Sequence, residues 1–366
     1  MKNSKILESI FLIVGTIIGL GMFILPYAFL KSGFYFLIWF IVLIFSFIIL
    51  HLTYSELIFQ IQKKHNLPGL ASDLINKKLK IPVWLFDFWG LEFVFLAYLI
   101  ALSKFISIIL PINILLTKLF IAFVVIFFIY FRTNIFSKIE TSLTFFEILL
   151  PICLSLSVLP YIKLENFKIG FNDPILSYGI LIFSFSGYSS LQIVYDLIGK
   201  NKKDFLKINL LAFLIIGVTY LFFTFSIVGA LKDRITEETL LGLAGVINPY
   251  LFLLFLISAI LSILTTFFSL AFYLKRGLIE DFGINKFLSW LLVSLPIILF
   301  SFLSSENLAK LASTIGSIFI GINLITILLC YLKLKEVKYF KIPKYLVMSL
   351  IFLFTIGWII GLLKIK

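Results

Sequence analysis

The chain has 366 residues, 61% hydrophobic and 13% charged, with a mean hydropathy of +1.15 and a formal charge of +13. That composition excludes a soluble globular domain and defines an integral membrane protein. The positive charge forms no nucleic-acid stripe: it falls in alternate loops, at Lys63 and Lys64, Lys77 to Lys80, Arg132, Lys200 to Lys207, Lys275 and Arg276, and Lys333 to Lys344. Basic loops face the cytoplasm, which places the N-terminus there as well.

About eleven apolar runs are long enough to cross a hydrocarbon core, near residues 6–30, 34–60, 83–110, 114–131, 138–160, 174–197, 208–231, 248–273, 286–303, 308–332 and 344–363. The alternation of a membrane barrel is absent and the connections are short. Residues 1–366 are therefore read as one all-α domain in the cell membrane, with the C-terminus outside if all eleven runs cross. Lys2 and Lys5 precede the first run as in a signal peptide, but no small-residue cleavage site follows, so it is an uncleaved span.

The first run contains GTIIGLGMFILPYA, Gly15 to Ala28, too rich in glycine and proline for one unbroken helix. A break near Gly19 to Gly21 leaves carbonyls free around Ile17 and Ile18, and amides free near Leu20 and Gly21. In hydrocarbon such groups survive only where protein, water or a ligand satisfies them. A second interruption lies in the sixth run, FSFSGYSSLQIVYDLIGKNKK from Phe183 to Lys203, where carbonyls from Phe183 to Ser186 point at the centre. One pole attracts a cation and the other an anion, which matches the ammonium and carboxylate of an amino acid without any charged side chain. Tight helix packing is the alternative reading of the glycines, because Gly15 and Gly19 also fit small-xxx-small spacing. Two broken helices five spans apart are what an inverted repeat predicts, with copies near 6–160 and 174–332 and an accessory helix at 344–363.

Between Gln60 and Pro82, Leu70, Leu74 and Ile75 follow helical spacing, which fits either a short interfacial helix or a solvated loop. Leu231 to Asn248 is the longest polar connection on the opposite side, an outer lid or an ordinary loop. Glu92 and Glu147 lie deep in the third and fifth runs, where carboxylates are costly and mark function by default. Glu92 has pairing with Lys104 as its alternative role. Asp87, Asp196 and Glu56 fall near the inner interface, where they are expected to be solvated. His51 and His65 have no partners at ligand spacing, and Cys153 and Cys330 lie in apolar runs, so no metal site or disulfide is indicated.

GTIIGLGMFILPYA resembles the first-helix signature of the amino acid, polyamine and organocation transporter superfamily, and the Phe183 to Lys203 stretch is similar to its sixth helix. HLTYSEL from His51, HNLPGLA from His65 and TTFFSLAFYLKRGLIEDFG from Thr265 support the likeness, nearest to the amino acid/auxin permeases and the bacterial aromatic and hydroxy amino acid permeases. The resemblance implies a five-plus-five repeat like that of the leucine transporter and alternating access. It implies a carboxylate at the amides of Leu20 and Gly21 with Thr16 nearby and with Gly187 in the second break; a side chain at Gly19 or Gly21 would block that approach to the backbone. The ammonium would meet the carbonyls of Ile17, Phe183 and Ser186 beside Ser184, with Phe183 as an aromatic gate. Ser189 stands where some relatives carry an acid, which favours a neutral substrate.

Thr265 and Thr266 lie near mid-membrane in the eighth run and, with carbonyls such as Ile18, would hold Na+; bonding back to the preceding turn is their structural alternative. Proton coupling through Glu147, with Glu92 as a second candidate, is the competing mechanism. The expected function is secondary transport of a neutral, aromatic or hydroxy, amino acid driven by Na+ or H+, with no other cofactor. A non-transporting amino acid receptor of the same fold, like spore-germinant receptor subunits, is the alternative. No Ser/His/Asp set or phosphate loop supports an enzyme.

Overall fold

Apolar runs of this length have no water to satisfy their backbone, so they close their hydrogen bonds internally as helices. The computed structural model describes residues 2–61, 65–131, 134–167, 170–304 and 307–364, the side chains of 2–3 and 134–143 excepted. Of the basic residues read as cytoplasmic, Lys63, Lys64 and Arg132 lie outside the described residues. Among the described residues the only extended pairing is one bridge, Gly33 with Phe171.

The first run is two helices, α1 (Lys2–Ile17) and α2 (Leu20–Ser32), and the second is α3 (Phe34–Gln60). A short α4 (Leu67–Leu74) precedes α5 (Lys80–Ile109), α6 (Ile114–Tyr130) and α7 (Asn134–Val158). The sixth run divides into α8 (Pro174–Phe185) and α9 (Leu191–Ile198), followed by α10 (Lys202–Leu231), α11 (Pro249–Phe282) and α12 (Lys286–Ser301). The tenth begins as α13 (Leu308–Thr314), widens into a π turn over Ile315–Ile320 and continues as α14 (Gly321–Leu332); α15 (Lys344–Leu363) ends the chain. Seven helices among the described residues are long and apolar enough to cross a membrane, and an eighth span is the bent pair α1 and α2. The apolar helices α6 and α12, at 17 and 16 residues, are shorter.

The loops around α4, after α9, after α11 and after α14 gather at one end of the bundle, called here the α4 end. α4 is a helix, but not one lying on a membrane surface: Leu67, Leu70 and Ala71 are buried. The Asp281 carboxylate on α11 accepts the amides of Asn66 and Gly69, each at 3.3 Å, and bonds His65 Nδ1 at 2.9 Å, which docks the start of α4. Glu56, expected to be solvated, is fully buried. Its carboxylate accepts the backbone amides of Lys338 (2.7 Å), Tyr339 (3.0 Å) and Phe340 (2.6 Å), folding the loop after α14 back onto α3. Asp87 is also buried, whereas Asp196 remains 38% exposed opposite Arg276.

At the opposite end the 232–248 connection is a seated plug. Thr239, Leu240 and Leu243 are buried; Lys104 donates to Glu238; Glu237 accepts the first amides of α13 from Leu308 at 2.5 Å and Ala309 at 3.3 Å. Burial lifts the Glu237 carboxyl above the usual range against the pull of those amides. Lys104 is thus committed to Glu238, not to Glu92.

Removing the charge that gathers three amides should loosen the loop after α14. Glu56→Gln is expected to cost about 2 kcal/mol, seen as a lower thermal midpoint in detergent, and an unchanged midpoint would deny Glu56 this role.

Candidate functional site

The break in the first span spans Ile18 and Gly19, and the chain turns by 54° there. Gly19 is extended (φ −148°, ψ −142°), no side chain among the described residues caps α2, and the Met22 amide bonds the Gly19 carbonyl at 3.2 Å, which leaves the amides of Leu20 and Gly21 open at the break. In the sixth span, Ser186 and Gly187 separate α8 from a 3-10 turn at Tyr188–Ser190 that leads into α9. The breaks face each other at close range. A Cβ on Gly21 would lie 2.7 Å from Ser184 Cα, and one on Gly187 would overlap Ile17 Cγ1. The Tyr220 hydroxyl of α10 lies 2.8 Å from the Ile17 carbonyl and 3.0 Å from that of Ser184, sharing its proton between the exposed ends of α1 and α8.

Between the breaks is a cavity of about 30 Å³, lined by Thr16, Ile17, Gly19 and Gly21 of the first span and by Phe183 and Ser186 of the sixth. Leu91, Val94 and Tyr98 of α5, Leu270 of α11 and Ile320 complete the wall. Among the described residues no charged side chain takes part. The volume suffices for about one water, not for an amino acid, so the elements around it must part to admit one.

Six of the nine substrate residues expected from sequence line this cavity. Leu20, Ser184 and Gly187 stand behind it: Ser184 fills the space beside Gly21, and Gly187 lies on Ile17. The packing reading of the glycines therefore holds alongside the cavity reading, since the missing Cβ of Gly19 faces Thr266 at 2.9 Å and that of Gly15 faces Thr144. Two polar groups are arranged differently from the expectation. Thr16 donates to the Leu12 carbonyl at 2.7 Å, leaving only its lone pairs for the cavity, and the Ile17 carbonyl already receives Tyr220.

Beside the break in the first span, the residues expected for sodium and for proton coupling converge on one cluster. Thr265 Oγ1 lies 2.6 Å from Glu147 Oε1 and 2.8 Å from the Ser262 carbonyl. Thr266 Oγ1 lies 3.0 Å from that same carbonyl and 3.3 Å from the carbonyl of Gly15. Both threonines bond back to the preceding turn, as their structural alternative predicts, and both also reach outside α11. Ser262 donates to the Ile18 carbonyl at 3.0 Å. All these groups are buried. Glu92 is not joined to the cluster: neither of its buried carboxylate oxygens has a hydrogen-bond partner among the described residues.

Sequence reasoning missed Tyr98, Tyr220 and Ser262. The last stands one helical turn before Thr265, the only local signal; Tyr98 and Tyr220 sit in apolar runs without a motif.

Residues 2–271 match the tryptophan/tyrosine permease family, and the chain belongs to that family. It is a multi-pass membrane transport protein, not an enzyme. No curated protein matches it in sequence. Among solved structures it is similar to the Eremococcus coleocola manganese transporter bound to an aromatic bis-isothiourea substituted compound, with TM-score 0.68 and 13% identity over 99% of this chain and 86% of that one. A histidine-to-alanine variant of the same transporter matches with TM-score 0.68 and 14% identity over 98% and 85%. At such identity the likeness concerns the fold. Among the described residues no group of three or more His, Cys, Asp or Glu could hold a metal ion.

A methyl group at Gly21 has no room against the Ser184 backbone. Gly21→Ala is expected to abolish uptake in membranes that still contain the protein, while Tyr220→Phe, which frees two carbonyls without altering shape, should slow uptake about tenfold. Wild-type rates for both would show that the breaks need not meet this closely.

Proposed function

We propose that the protein is a secondary transporter of a neutral aromatic amino acid, working by alternating access and driven by a proton gradient. The observation that carries this reading is the pair of facing helix breaks around an uncharged cavity. The open amides of α2 offer a pole for the substrate carboxylate, and the carbonyl ends of α1 and α8 offer one for its ammonium. Phe183, Tyr98, Leu91, Val94, Leu270 and Ile320 would then surround the side chain, a wall suited to an aromatic ring. The family's name points to the same substrate class.

In this reading the chain makes eleven crossings, counting α6, α12 and the paired α8 and α9. Spans one to five and six to ten form inverted copies, and α15 is accessory. The N-terminus and the α4 end face the cytoplasm of a cell membrane, where most basic loops lie.

Glu147 is the proposed proton carrier. Its position against Thr265, next to the broken first span, lets a change of charge act on the element that must move. Sodium is the second reading, favoured by one observation: the hydroxyls of Thr265 and Thr266 and the carbonyls of Gly15, Ile18 and Ser262 form an oxygen-rich cluster suited to a hard cation.

Uptake of labelled tryptophan, tyrosine and phenylalanine into proteoliposomes, under an inward proton gradient, an inward sodium gradient or none, tests this. Accumulation under the proton gradient that disappears in Glu147→Gln, with substrate counterflow retained, is expected. Accumulation driven by sodium alone, with a raised sodium requirement in Thr265→Val, would replace the proton by Na+. Saturable binding with no accumulation under any gradient would replace transport by reception.

A further inference from the structure

Each wall of the cavity continues toward the α4 end, and within about one helical turn four of these continuations meet again. On α5 the cavity residue Leu91 is followed in that direction by Asp87; beyond Ser186 comes Tyr188; beyond Leu270 on α11 comes Tyr273; beyond Ile320 comes Asn323 on α14. These four side chains form one buried cluster. Tyr188 donates its hydroxyl to Asp87 Oδ1 at 3.0 Å, and Asn323 Nδ2 donates to the same oxygen at 2.9 Å. Tyr273 donates to Asp87 Oδ2 at 3.2 Å, and Asn323 Nδ2 also lies 3.1 Å from the Tyr188 oxygen. Tyr54 of α3 packs its ring edge-on against Tyr188 at 5.9 Å.

Two features separate this cluster from ordinary core packing. Among the described residues no Lys or Arg is paired with Asp87, so its carboxylate depends on donors from three other elements. The cluster also lies directly between the cavity and the α4 end, where a second layer closes over it: Asn66 Nδ2 donates to the Tyr273 carbonyl at 3.0 Å, and Asp281 holds α4 in place.

We infer that Asp87, Tyr188, Tyr273 and Asn323 form the gate through which substrate leaves the cavity toward the α4 end. This assignment rests on the alternating-access reading above. Tyr188 stands just past the break of a divided helix, whereas Asp87 and Tyr273 belong to long unbroken ones. The buried Asp87 carboxyl group is satisfied only when all four elements meet, so the closed arrangement is all-or-none: withdrawing one donor leaves its oxygens short of partners and favours full opening to water. Glu147 lies on another element, beside the break, and is not part of this cluster.

The test uses full-length protein with Cys153 and Cys330 replaced by alanine and Val94→Cys as a reporter inside the cavity. A membrane-impermeant thiol reagent is added to either face of sealed proteoliposomes, and Lys338→Cys in a parallel sample identifies the face carrying the α4 end. Asp87→Asn and Tyr273→Phe should each raise reporter labelling from the α4 face about fivefold, the shift expected when one net hydrogen bond is lost, and lower it from the other face. Tyr273→Phe keeps the ring and its packing, so it carries the test if Asp87→Asn does not fold. Unchanged labelling in folded variants, while the wild-type protein accumulates an aromatic amino acid, overturns the gate and leaves transport standing. Faster labelling of the gate variants from the α4 face, when the wild-type protein moves no amino acid under any gradient, supports the gate and removes transport.

Discussion

A backbone amide or carbonyl inside a membrane must find a partner within the protein, and the arrangement around the cavity follows from that constraint. Breaking two helices near the middle of the bundle frees carbonyls and amides at the place where hydration is hardest to obtain. Tyr220 serves Ile17 and Ser184, Ser262 serves Ile18, and Thr266 reaches Gly15. Helices α10 and α11 are therefore held to the breaks by the groups the breaks expose. In the proposed transport cycle, a ligand that took over any of these carbonyls would also disturb the element that had been satisfying it, and so couple occupancy to movement.

Charged groups elsewhere follow the same logic. Lys275 reaches the Ile129 carbonyl at 2.8 Å at the end of α6, and Lys118 reaches the Leu303 carbonyl at 2.6 Å beyond α12, each cation meeting the negative end of a helix. Glu56 and Asp281 gather backbone amides of neighbouring segments, and Glu237 gathers those that begin α13. These acids act as clamps on chain ends that would otherwise be buried and unsatisfied. Asp87 differs in being met only by side chains, from elements that belong to separate parts of the bundle.

Several features were legible before any coordinates. Gly19, Gly21 and the Ser186–Gly187 pair mark the breaks because glycine clusters cannot continue an apolar helix without consequence, and Thr265, Thr266 and Glu147 stand out as polar groups at mid-span. Where a polar residue sits in an apolar run, its depth can be counted from the nearest loop. Its partner cannot. Spacing along α5 leaves Lys104 open to pairing with Glu92, yet Glu238 reaches it from the plug; position in the chain puts Glu56 and Asp87 near the interface and its water, yet neighbouring segments cover both.

From the sequence by itself came the membrane class, the helical spans, the interruptions of the first and sixth and the inventory of polar residues within them. These are local properties, set by hydropathy, glycine and proline along a few turns of chain. Tertiary structure decided that the two breaks face each other, that Glu147 shares one cluster with Thr265 and Thr266, that Tyr98 lines the cavity and Tyr220 bonds the carbonyls of both breaks, and that Asp87 meets Tyr188, Tyr273 and Asn323. Such contacts join residues far apart in the chain, and no periodicity within a helix records which distant helix its polar face will meet.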